Sequence, residues 1–86
     1  MKIITTQRHQ LEVGDGEVWA PATSSIYTIA RELAGHGRLT EALRMAVDAR
    51  YANYPAAENV GLVFRITTTT TTEIQDFGDP SAPYKP

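Results

Sequence analysis

The chain has no cysteine among its 86 residues, which excludes a disulfide framework and any thiolate metal site. A cysteine-free domain fits a reducing compartment, and a cytoplasmic protein is the expectation. No apolar run approaches the roughly 20 residues that cross a bilayer. The opening stretch MKIITTQRHQ lacks the apolar centre of a signal peptide. No membrane association is therefore expected. Nor is there a surplus of positive charge: the formal net charge is −2, whereas a nucleic-acid binder normally carries a basic excess. Direct nucleic-acid binding is the less favoured reading.

Chelating and catalytic patterns are also missing. His9 and His36 stand far apart, and neither lies in a spacing such as His-Glu-x-x-His. The carboxylates are scattered, without the alternating acids of a calcium loop. Gly14-Asp15-Gly16 is not continued as a phosphate-binding glycine loop. Ser24 and Ser25 precede an apolar helical pattern, where serine is a helix cap rather than a nucleophile. The sequence predicts no catalytic residue, no metal ligand and no cofactor site, and the expectation is a protein that is not an enzyme.

What the chain does contain is a strong helical pattern in its middle. Ile26, Ile29, Ala30, Leu33 and Ala34 recur at the spacing of one helix face. Leu39, Ala42, Leu43, Ala46 and Val47 repeat that spacing. Gly35 and Gly37 separate the two helices, because glycine takes the left-handed conformation a helix end often needs. Pro55 closes the second, since the residue before a proline is pushed out of helical geometry. The connection is short, so the helices are neighbours, and alanines at 30, 34, 42 and 46 allow a close approach. On the exposed side, Glu41–Arg44 and Arg44–Asp48 have the spacing of helical ion pairs.

Strand patterns flank the helices. Residues 2–13 are rich in β-branched side chains, with Ile3, Thr5, Gln7, His9, Leu11 and Val13 on one face. Gly14-Asp15-Gly16 predicts a turn into a short strand at 17–20, a β-hairpin over Leu11–Ala20. Trp19 on that strand has two readings: a cover over one end of the core, or an exposed anchor for a partner. Val60–Phe77 alternates with period two, half-buried at first and polar on both faces through Thr67–Thr72. That threonine run is either a solvated extension of the strand or an edge that pairs with another chain.

The order is strand, strand, helix, helix, strand. It predicts an α+β fold: a small antiparallel sheet of about three strands, the first and last paired, with a helical hairpin packed on one face. Residues 1–77 are expected to form a single domain and 78–86 a flexible proline-rich tail.

Residues 16–51, with Thr40-Glu41-Ala42-Leu43-Arg44 and Ala46-Val47 on the second helix, resemble a ribbon-helix-helix DNA-binding module. That resemblance implies a transcriptional regulator whose outward strand residues read bases. Here those residues are Glu17 and Trp19, and an acid facing phosphates departs from the family's pattern. The chain as a whole is short, cysteine-free and mildly acidic, without catalytic residues. In these respects it resembles small phage- or mobile-element-encoded accessory proteins of the anti-CRISPR kind. That resemblance implies a binding protein that inhibits or regulates a larger protein or nucleoprotein complex.

The expected function is therefore non-enzymatic protein binding. The candidate contacts are Trp19, Tyr51 and Tyr54, the arginines Arg31, Arg38, Arg44 and Arg50, and Thr67, Thr69 and Thr71 on the polar strand. Aromatic residues and arginine are favoured at interface centres. A homodimer through Thr67–Thr72 and a self-assembling structural subunit are the alternatives for that strand.

Overall fold

A computed structural model describes residues 1–76 and 78. Phe77 and most of the expected tail lie outside the described residues. Strand β1 spans Lys2–Gly14 and β2 spans Trp19–Pro21. A 3-10 turn at Ser25–Tyr27 leads into helix α1, Thr28–Gly35, and helix α2 covers Leu39–Asn53. A second 3-10 turn at Ala56–Asn59 precedes β3, Val63–Gln75. The sheet order is β2-β1-β3, antiparallel throughout. The expected α+β order and the pairing of the first and last strands are both present.

The core is small and made of small side chains. Leu11, Ala22, Tyr27, Ala30 and Ala46 form its buried centre, with Val13, Ile26, Leu43, Phe64 and Ile66 packed around it. Ala30, Ala34, Ala42 and Ala46 are each no more than 1% exposed, so the four alanines do bring the helices together. Helix α1 lies against β1 and α2 against β3.

The first helix differs from its sequence expectation. The chain enters through a 3-10 turn, and no serine or threonine side chain caps it. Instead Arg31 donates to the carbonyls of Ala22 and Ser24, each at 2.8 Å, and holds the entry loop. The change of pitch puts Tyr27 in the core and leaves Ile29 58% exposed. The helix ends as expected, with Gly37 at φ +77° and Arg38 N–H donating to the Leu33 carbonyl. On α2, Glu41 pairs with Arg38 rather than with Arg44.

The hairpin turn is held by Asp15, whose Oδ1 accepts from the N–H groups of Glu17 at 2.9 Å and Val18 at 2.8 Å. Those two donors hold its carboxyl below the usual aspartate value. A side chain at Gly14 would meet the Val18 carbonyl oxygen at 2.0 Å, so the turn closes only over glycine. The short strand falls at 19–21 rather than 17–20. Pro21 is tolerated because β2 is an edge strand.

Within the stretch that resembles a ribbon-helix-helix module, Trp19–Pro21 is paired with Glu12–Gly14 of the same chain.

Strand lengths dictate the rest of the shape. At about 3.4 Å per residue, the thirteen residues of β3 extend about 44 Å, whereas the fifteen of α2 rise only about 22 Å. The helices therefore cover one end of the sheet. Pairs Leu11↔Ile66 through Gly14↔Val63 belong to the packed body. The other nine, Lys2↔Gln75 through Gln10↔Thr67, project as a two-stranded arm. The Cα radius of gyration is 19.5 Å, against about 12 Å for a compact chain of this length.

Candidate functional site: the outer edge of β3 and its groove

β3 is the outer strand of the sheet, and among the described residues one side of its backbone is unpaired along all thirteen residues. Natural sheets commonly guard such an edge with proline, lysine, a bulge or a covering loop. The strand VFRITTTTTTEIQ contains neither proline nor lysine. Its register with β1 runs one-to-one from end to end, without a bulge. Among the described residues the edge is long and unguarded.

The arm is also a weak structure by itself. A two-stranded ribbon in water is marginally stable. Here Thr5, Gln7, Thr68, Thr70 and Thr72 are exposed on one face, and Thr6, Arg8, Thr69 and Thr71 on the other. His9 is hydrogen-bonded across the pair to Thr68 at 2.8 Å. At the tip, the cross-strand pair Ile3↔Ile74 is apolar but open to solvent, at 59% and 67% exposure.

Beside the body end of this edge lies a groove of about 260 Å³ between α2 and β3. Leu43, Val47 and Tyr51 line it from the helix, Leu62 and Phe64 from the loop and strand. Tyr51 is 63% exposed and Val63 42%, so the apolar lining is uncovered. Phe64 is fixed from behind by Tyr27, edge to face at 5.5 Å between ring centroids. Arg50 and Asn59 close the far wall. Arg50 Nε donates to Asn59 Oδ1 at 2.8 Å, and its guanidinium lies 3.5 Å from the Tyr54 ring centroid. Phe64 and Leu62 were missed as site residues, because a single sequence shows their burial pattern but not that α2 leaves one side of them open.

The other sequence candidates divide by environment. Thr67, Thr69 and Thr71 lie on the unpaired edge strand, and Tyr51 in the groove. Arg31, Arg50 and Tyr54 are held in contacts within the chain. Arg38 is ion-paired with Glu41, and Arg44 is exposed on α2. Trp19 does not cover the core. Its register places it on the helix-free face of the sheet with Glu12 and Arg65, outside the core cluster. The Arg65 guanidinium lies 4.2 Å from its ring centroid, and Arg65 Nε donates to Glu12 Oε1 at 2.9 Å.

Among the described residues, no group of three or more His, Asp or Glu is placed to hold a metal ion. Among the same residues, no helix is long and apolar enough to cross a membrane. Comparison with protein families, with curated proteins and with solved structures finds no match.

Proposed function

We propose that the chain is a non-enzymatic binding module that acts by strand addition at the outer edge of β3. The observation that carries this reading is the unguarded edge of thirteen residues, running past an open apolar groove. An incoming extended segment would gain main-chain hydrogen bonds along β3, and alternate side chains would enter the groove. Pairing would also turn the marginal two-stranded arm into a three-stranded sheet. Such a module regulates a larger protein or nucleoprotein complex by taking up one of its extended segments. That is the role implied by the resemblance to small phage-encoded inhibitors.

A displayed library of random peptides tests the reading. Selected peptides should bind as strands and slow amide exchange at alternate residues of β3. Thr68→Pro and Thr69→Pro supply the control, since neighbouring N–H groups point to opposite edges and one of the two spares the ladder with β1. The folded member of that pair should lose peptide binding. Peptides that protect the helices and leave β3 amides unchanged would overturn the proposal.

A further inference from the structure

We propose that the strand filling this edge is β3 of a second copy, paired antiparallel about a two-fold axis at Thr69. The inference rests on the strand-addition reading and names its partner.

Geometry limits the choice. In a two-fold antiparallel pair, opposed residues must have N–H groups of the same orientation, so the paired residue numbers add to an even total. Among such registers, the one centred on Thr69 pairs all of Val63–Gln75 with its copy. It also satisfies the side chains on both faces. On the helix side, Ile74 of each copy falls opposite Phe64 of the other, at the mouth of the groove lined by Leu43, Val47 and Leu62. Ile3 follows it, as the cross-strand neighbour of Ile74. The solvent-exposed isoleucines at the arm tip and the uncovered groove thus cover each other, twice per dimer. On the helix-free side, Arg65 falls opposite Glu73, the only two charged residues of β3. Threonines meet threonines between them, and such cross-strand pairs are favourable.

Shifting the register by one step in either direction loses these matches. Phe64 would then face Thr72 or Asp76, and Arg65 would face Thr71 or Gln75. Because the two-fold axis stands perpendicular to the sheet, both helix pairs lie on the same face of a six-stranded sheet, at opposite ends. Each helical body then sits beside the other copy's arm tip. The outer edge of β1 is a poorer acceptor, since β2 already occupies its body end and the groove of about 330 Å³ beside it is lined largely by polar side chains, among them Arg8, His9, Gln10, Thr23 and Arg31.

The absence of cysteine makes a direct test available. Thr69→Cys places two thiols opposite each other, within the Cα separation of about 4.4–6.8 Å that a disulfide needs. Glu73→Cys places them eight residues apart along the ribbon, about 27 Å, beyond any disulfide. Under mild oxidation the first should form a covalent dimer and the second should not. In sedimentation equilibrium the wild type should show twice the chain mass. Ile74→Arg should weaken the dimer by roughly 100-fold, because each substitution is counted twice, while leaving the circular dichroism unchanged.

A wild-type monomer at all concentrations, a dimer untouched by Ile74→Arg, or equal cross-linking at 69 and 73 overturns the inference. The underlying reading is separable. Ile74→Arg keeps its own edge and groove, so as a monomer it should still take up strand peptides. Failure of that uptake would count against strand addition itself.

Discussion

Removing one oxygen from the core should make the protein more stable. Tyr27 is 3% exposed, and its hydroxyl is buried without a hydrogen-bond partner among the described residues. The unfolded chain hydrates that hydroxyl, whereas the folded chain strands it, and a buried unsatisfied polar group costs about 1–3 kcal/mol. Tyr27→Phe keeps the ring, its burial and its edge-to-face contact with Phe64. The space left by one oxygen is smaller than a methyl group, so only part of the gain is lost to packing. A net stabilisation of about 1 kcal/mol follows. For a domain of this size that corresponds to a rise of about 4–8 °C in Tm. Thermal unfolding followed by circular dichroism, with urea unfolding as an independent check, measures it. A fall in Tm of similar size would refute the reasoning, because it would mean that the hydroxyl is satisfied and contributes to the fold.

Three other perturbations probe the supports of the site. Gly14→Ala forces a methyl group against the Val18 carbonyl, and the urea midpoint should fall by the equivalent of about 2 kcal/mol or more. Arg50→Ala leaves the Asn59 side-chain oxygen without its donor in a residue only 8% exposed. Stability should drop by about 1–2 kcal/mol, and the Tyr51 side of the groove should shift in a heteronuclear spectrum. Asp15 has its folded-state value lowered by the Val18 and Glu17 amides, so its contribution is present above the unfolded value of 3.8 and is lost as pH falls through the folded one. An NMR titration should place its midpoint below 3.8, and Asp15→Asn should reduce the loss of stability over that acid range.

Much of this fold was legible because its signals are local. The alanines at 30, 34, 42 and 46 repeat at helical spacing, and all four are buried where the helices meet. Phe64-Arg65-Ile66 followed by six β-branched threonines is a strand signal rather than a helical one. Even the arm follows from arithmetic, since a helix rising 1.5 Å per residue cannot cover a strand of equal length. What escaped the sequence depends on non-local register or on a change of helical pitch. Tyr27 entered the core because a 3-10 turn precedes α1 and rotates the apolar stripe. Trp19 took the helix-free face because of which β1 residue it pairs with, a fact held in neither strand alone. The groove is built by α2, the loop at Leu62 and Phe64 together, and no contiguous segment announces it. Ile3 and Ile74 were visible as apolar residues at strand ends, but that they form one uncovered patch required the β1–β3 register.

The central claim is that the outer edge of β3 accepts a strand, and that in the free protein the strand is its own copy. Residue-resolved amide exchange along Thr67–Gln75, at dilute and at concentrated protein, tests it most directly. The account predicts that amides facing β1 are protected at both concentrations. The alternate amides facing outward should become protected only as concentration rises. Outward amides that exchange equally fast at every concentration would contradict it.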